Sequence, residues 1–221
     1  MRSKKTVLAP SWLDNPNPEW CGNYNTRFWD TNWQKVLFGR KSGGRKSYLD
    51  RIIYAGFDGV YLDIIDGVEY WEERRGIEGR RQPGRDMANL VEKISSYARV
   101  RRNRKDFIVV PQNGAAILTR LSPVRRQRYF DAIDGIGAED TFYFGNKDED
   151  NSFKIQPAFE HLKQFPRQPG KLVLSVDYLR DPEKVSDYQL RACEAGFIPQ
   201  VNTRALDSLQ VQTLGGCATP P

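Results

Sequence analysis

Histidine is nearly absent from this chain: His161 is the only one in 221 residues. Zinc sites and Ser-His-Asp triads are built on imidazole. A lone His following Glu160 in a helical stretch therefore weakens both the metallohydrolase and the serine-hydrolase readings. Cysteine is scarce as well. Cys21, Cys193 and Cys217 are odd in number and far apart, with neither metal-ligand spacing nor a disulfide framework. No apolar run reaches the 18 residues a membrane span needs. The opening Met1-Arg2-Ser3-Lys4-Lys5 is not followed by an apolar stretch long enough for a signal peptide. No GxGxxG or GxxxxGK follows a strand-like run, so nothing is set up to cradle a phosphate. The expectation is no metal, no cofactor and no membrane partner.

The chain is rich in aromatics (12%) and carries a net charge of +6. Basicity raises the question of nucleic acid. The cations are spread out, however, apart from Arg99-Val100-Arg101-Arg102-Asn103-Arg104-Lys105. That cluster ends a helical pattern, where cations suit the helix dipole. A solvated helix end is the expectation, and no nucleic-acid partner. The acids are more concentrated, at Asp63 to Glu73, Glu139-Asp140 and Asp148 to Asp150.

The organising stretch is Gly59-Val60-Tyr61-Leu62-Asp63-Ile64-Ile65-Asp66-Gly67-Val68-Glu69-Tyr70-Trp71. An apolar strand-like run that ends in an acid is how α/β enzymes present carboxylates at a strand terminus. Asp63 either works there or caps and braces the next turn, and Asp66 is the better capping candidate. Helical and strand-like runs alternate from Ser47 onward. Helices are predicted over Ser47 to Ala55, Asp86 to Val100, Ile155 to Phe165 and Pro182 to Ala195. Strands are predicted over Val60 to Ile65, Phe107 to Val110, Ile133 to Asp140, Lys171 to Val176 and Phe197 to Val201. Thr6 to Ala9 reads as the end of another strand. This alternation predicts a parallel sheet with helices outside.

Polar groups recur at the strand ends: Asp63, Gln112 and Asn113, Glu139, Asp177 and Asn202. A (β/α) barrel gathers its reacting groups this way on one rim, whereas a doubly wound sheet concentrates them at one switch point. Gln112 and Asn113 suit sugar hydroxyls, and Asn113-Gly114 equally suits a turn. The Pro10 to Asp30 region reads as a long loop holding Trp12, Trp20 and Trp29, with Trp33 just beyond. Such rings either stack on a pyranose or pin the loop to the core.

Taken together, these residues resemble a known family. The segments are Asn17-Pro18-Glu19-Trp20-Cys21-Gly22-Asn23-Tyr24, Phe28-Trp29-Asp30, Trp33-Gln34, Tyr48-Leu49-Asp50-Arg51-Ile52-Ile53, Gly56 through Asp63, and Tyr70-Trp71. With Gln112-Asn113-Gly114, Glu139-Asp140-Thr141-Phe142-Tyr143 and Asp177-Tyr178-Leu179, they are similar to glycoside hydrolase family 114, the endo-α-1,4-polygalactosaminidases and related glycosidases. The resemblance implies a (β/α)8 TIM-barrel-like domain, residues 1–214, with a disordered tail at 215–221. It implies an extracellular hydrolase of α-1,4-linked galactosamine-containing polysaccharide, with Asp63 and Glu139 as the catalytic carboxylates. Asp63 would be the ionised partner and Glu139 the acid. Tyr24, Trp29, Tyr61, Asp66, Gln112, Asn113, Asp140, Asp177, Tyr178 and Asn202 are the residues expected to line the glycan site.

About six strands are countable, against eight in a complete barrel. The family's first strands are therefore expected to be missing before Thr6. An incomplete barrel has open edges, an expected route to dimerisation. The alternative function is a non-catalytic carbohydrate-binding remnant of a truncated barrel.

Overall fold

The computed structural model describes residues 9–18, 21–39, 44–74, 82–145, 147, 149–207 and 217. The chain opens on an antiparallel hairpin, β1 (Leu13–Pro16) with β2 (Tyr24–Thr26), followed by the helices α1 (Thr31–Leu37) and α2 (Tyr48–Tyr54). Then come β3 (Gly59–Leu62), α3 (Val68–Glu73), α4 (Pro83–Ser96), β4 (Ile108–Pro111), α5 (Pro123–Ala132) and β5 (Gly135–Glu139). The series closes with α6 (Phe159–Leu162), β6 (Leu172–Tyr178), α7 (Pro182–Glu194) and β7 (Ile198–Asn202).

β3 pairs in parallel with β4, β5 with β6, and β6 with β7. The seam between β4 and β5 is thinner: one parallel bridge joins Gln112 to Gly137. Main-chain bonds from Asp134 N to Val109 O (2.9 Å) and from Asn113 N to Gly137 O (2.8 Å) extend it. Side chains complete it. Asp134 Oδ2 accepts from Val109 N at one end (2.7 Å), and Asn113 Oδ1 accepts from Glu139 N at the other (3.1 Å). Strand order follows chain order, as in a barrel and unlike the reversal of a doubly wound sheet. Among the described residues these five parallel strands form an open series, not a closed ring.

The register assigns every strand residue to a face. One face carries Val109, Ile136, Val173 and Val201, all buried against α4, α5 and α7. α4 contributes Met87, Leu90, Val91 and Ile94 at helical spacing, each worth about 1.5–3 kcal/mol when fully buried. The other face carries Tyr61, Ile108, Leu172, Leu174 and Ile198, all exposed. In a closed barrel that second face would be the packed interior.

Local signals explain the element ends. Asp30 caps α1 by accepting from Asn32 N and Trp33 N, and Ser47 caps α2 by accepting from Asp50 N. Several expectations are corrected. The Pro10 to Asp30 loop contains the β1–β2 hairpin, held by Arg27, which bonds Ser11 O (2.9 Å) and pairs with Asp14 (2.7 Å). Of the predicted Ile155 to Phe165 helix only α6 is helical. Asp177 and Tyr178 lie within β6 instead of following it. Residues 6–8 of the first predicted strand lie outside the described residues, as does the 215–221 tail apart from Cys217.

Cys217 overturns the cysteine reading, because it forms a disulfide with Cys193 (Cα–Cα 5.2 Å). The two are 24 residues apart in sequence, so nothing in their spacing announced the pair. The basic cluster is mostly exposed, as expected of a solvated helix end, and two of its arginines also find partners. Arg99 bonds Asp134 Oδ2 and Phe107 O, and Arg102 pairs with Asp50 and bonds Tyr97 Oη. These arginines clamp the end of α4 to its neighbours.

Candidate active site

Each strand delivers its polar group where the chain leaves the sheet. After β3, Asp63 folds back so that Oδ1 accepts from Ile64 N (2.8 Å). Ile64 adopts φ 60°, a left-handed conformation that costs a β-branched residue free energy. A tight turn over Ile65–Gly67 follows and carries Asp66. After β4, Asn113 (φ 57°) and Gly114 (φ 68°) are both left-handed. A Cβ on Gly114 would sit 3.0 Å from Ile65 Cγ2, so the two turns pack directly together. This close approach brings Asp66 and Asn113 into contact.

Glu139 ends β5 and is the hub. Its Oε2 accepts from Asn113 Nδ2 (3.1 Å) and its Oε1 accepts from the Tyr178 hydroxyl on β6. The same Asn113 nitrogen donates to Asp66 Oδ2 (3.4 Å). Asp66 is largely buried. Burial pushes its carboxyl above the usual range, the Asn113 bond pulls it back, and the nearby Asp63 and Glu139 charges push it up again. Tyr61 crosses from β3 towards β5. A Cβ on Gly137 would lie 1.8 Å from its hydroxyl, so glycine there is what admits the ring. Desolvation, then the charges of Glu139 and Asp63, push the Tyr61 hydroxyl up to about 12. Asp63, Asp66 and Glu139 thus share one neighbourhood with Tyr61, Asn113 and Tyr178.

Beside this cluster, Asp140 (φ 49°) is gripped through both oxygens by Arg204 Nη2 at 2.8 and 2.9 Å. Burial raises the Asp140 carboxyl, Arg204 opposes that, and Glu139 adds to it. The Arg204 guanidinium also lies 4.3 Å from the centre of the Tyr178 ring. Arg204 was missed as a site residue. The signal was its place three residues after Val201, beyond the last strand-like run.

Other expected residues sit elsewhere. Asp177 is corrected from a rim residue to an interior brace. It is 0% exposed, and it accepts from Thr141 N (2.5 Å), Phe142 N (2.9 Å) and Tyr143 N (2.9 Å). The period-two alternation of β6 puts it on the face opposite Tyr178. Burial nevertheless pushes its carboxyl up to about 6, against the pull of those three amides. Trp29 packs edge-on to Trp71 (4.7 Å) and Phe28 (5.0 Å), which is the loop-pinning alternative. Trp12 and Trp33 pack on each other at 4.7 Å. Tyr24 stands half exposed on β2, outside the Glu139 network. Gln112 bridges Gly137 through its main chain, and Asn202 Oδ1 accepts from Thr203 N (2.8 Å). Asp66 offers no side-chain cap to the turn or to α3.

A cleft of about 480 Å3 opens at the other, N-terminal end of β3 and β4, lined by Asp58, Asn103, Arg104, Lys105, Asp106 and Phe107. It is remote from the Glu139 cluster and contains no comparable pair of interacting carboxyls. Among the described residues no group of His, Cys, Asp and Glu is arranged to hold a metal ion.

Comparison with known proteins bears on this arrangement. The model of Glycoside-hydrolase family GH114 matches residues 1–217. An uncharacterized protein of Thermotoga maritima is 33% identical over 220 residues, covering 96% of this chain and 62% of that protein. Uncharacterized protein MJ1477 of Methanocaldococcus jannaschii is 34% identical over 209 residues, 90% of this chain and 56% of that protein. An uncharacterized protein of Deinococcus radiodurans is 31% identical over 203 residues, 92% of this chain and 58% of that protein. The chain thus spans less than two thirds of the length of each of these relatives.

Proposed function

Because the chain belongs to glycoside-hydrolase family GH114, we propose that it hydrolyses an α-1,4-linked galactosamine-containing polysaccharide with Asp63 and Glu139 as the reacting carboxyl pair. The observation that carries this reading is the gathering of Glu139, Asp66 and Asp63 at adjoining strand ends on the open face of the sheet. Glycosidic cleavage needs one carboxyl to protonate the leaving oxygen. It needs a second, ionised, to attack the sugar or to activate water.

Both oxygens of Glu139 accept hydrogen bonds, from Tyr178 and from Asn113. That arrangement suits the ionised role for Glu139, in place of the acid role expected from sequence. Asp63 is the second carboxyl of the pair, at the end of the neighbouring strand run. Asp66 lies next to it, its carboxyl raised by burial and held by the amide of Asn113. A partly deacetylated galactosamine chain is cationic. Three carboxyls in one neighbourhood attract it in spite of a net charge of +6. The same reading places the protein outside the cell, and the Cys193–Cys217 bond supports an oxidising compartment.

The test is release of reducing ends from α-1,4-galactosaminan, with fully N-acetylated galactosaminan and α-1,4-galacturonan as controls. Turnover of the amino polymer, and none of the anionic galacturonan, is expected. Turnover of galacturonan alone would overturn the substrate assignment. A second reading, glycan binding without cleavage, is favoured by the unclosed series of strands. Binding of galactosaminan with no product over long incubation would establish it instead.

A further inference from the structure

The β4–β5 seam runs out of main-chain pairing at Gln112 and Gly137. Beyond that point the chain leaves β4 through the two left-handed residues Asn113 and Gly114, while β5 continues to Glu139. The next rung is made by a side chain. Asn113 Oδ1 accepts from Glu139 N (3.1 Å), where a regular ladder would use a main-chain carbonyl. From the other end of the same amide, Nδ2 donates to Glu139 Oε2 (3.1 Å) and to Asp66 Oδ2 (3.4 Å). One planar group therefore fixes the height of Glu139 in the sheet and the direction of its carboxylate, and joins that carboxylate to a second carboxyl.

We propose that Asn113 is a positioning residue of the reaction, aiming Glu139 and holding Asp66 beside it, and that it does not bind sugar. This rests on the glycosidase reading of the same site. The chemistry demands this residue type. Asp would keep the acceptor for Glu139 N but would have no donor, and it would add a charge beside Asp66 and Glu139. Ala would leave Glu139 N without that acceptor. The bidentate grip on Glu139 also accounts for the amide's orientation, since the oxygen must face N–H and the nitrogen must face the carboxylates.

Removing the amide has two consequences that a sugar-binding residue would not produce. First, Glu139 is no longer aimed, so kcat falls while KM holds. Second, Asp66 loses a donor and faces the neighbouring negative charges directly, so its titration moves up. The experiment compares wild type with Asn113→Ala. It reads galactosaminan kinetics, and it reads carbon-13 titration of the Asp66 carboxyl in protein without substrate, assigned with Asp66→Asn. The expected result is a kcat lowered about 100-fold with KM within about threefold, and an upward move of the Asp66 midpoint.

If Asn113→Ala does not fold, Asn113→Gly, which suits the left-handed φ of 57° and adds no charge, gives the same two readings in the same directions. A raised KM with kcat unchanged would make Asn113 a sugar ligand and overturn the proposal. An unmoved Asp66 midpoint would overturn it as well. Wild-type protein that cleaves no glycan would defeat the glycosidase reading. In that case the Asp66 midpoint alone decides whether Asn113 bridges the two carboxyls.

Discussion

Tyr178 donates its hydroxyl hydrogen to Glu139 across the β5–β6 pairing. The donor ring is 2% exposed and lies beneath the Arg204 guanidinium, so its position is set by packing. Desolvation, then the bond to Glu139, holds the hydroxyl proton far more tightly than in a free tyrosine. Tyr178→Phe keeps the ring and removes only the donor. A hydrogen bond to a charged group contributes about 1.5–3 kcal/mol. The expected result is a kcat lowered roughly 10- to 100-fold with little change in KM. A variant with wild-type kcat would show that Tyr178 does not support Glu139 during the reaction.

Gly137 and Tyr61 are complementary. An alanine methyl at 137 would collide with the Tyr61 hydroxyl and with the ring carbons behind it. Tyr61 is half exposed and can swing away, so Gly137→Ala should cost about 1–3 kcal/mol of stability. The double variant Gly137→Ala with Tyr61→Ala should be more stable than the sum of the single changes, as read by urea unfolding. Strict additivity would mean that the two positions do not meet.

Asp177 carries a pH signature. Its folded carboxyl titrates at about 6, above the value of 3.8 expected of a free Asp. The folded state therefore holds this proton more tightly than the unfolded chain does. The associated stability is full below about pH 4 and is lost as pH rises through about 6. The amount is on the order of 2–3 kcal/mol. Asp177→Asn lacks this titration and turns an amide NH2 towards the N–H of Thr141, or towards those of Phe142 and Tyr143, while its oxygen serves the other side. The variant should be destabilised at every pH below 6, and its deficit against wild type should shrink between pH 4 and pH 7. A deficit independent of pH would contradict the raised carboxyl.

The Cys193–Cys217 bond closes a loop 24 residues long at the end of α7 that leads into the start of β7. That is the opposite end of the strands from Glu139. Loop-closure entropy for such a length is about 3 kcal/mol. Cys193→Ser should lower the unfolding midpoint clearly and leave kcat unchanged. A lost kcat with an unchanged midpoint would place the bond in the site's machinery instead.

The sequence showed the helix-to-strand alternation and the acids at the strand ends, because both follow from local periodicity. It placed Asp63 and Glu139 at two of those ends for the same reason. It did not separate Tyr178 from Asp177. Adjacent residues in a strand face opposite ways, and which of the two faces the site depends on register with β5 and β7. The roles of Asn113 and Arg204 were hidden as well, since each is defined by a partner from another strand end: Asn113 by Glu139, Arg204 by Asp140. The hairpin at Leu13–Thr26 was masked by Pro and Asn, which read as turn chemistry. Its pairing is secured by tertiary bonds from Trp71 Nε1 to Thr26 O (3.1 Å) and from Tyr70 Oη to Asp14 Oδ1 (3.0 Å).

The most direct measurement is the rate of reducing-end release from α-1,4-galactosaminan by wild type, Asp63→Asn and Glu139→Gln, with far-ultraviolet circular dichroism to verify the fold of each. The account predicts turnover by wild type and a loss of about 1000-fold or more in each folded variant. Wild-type turnover in folded Glu139→Gln would contradict it.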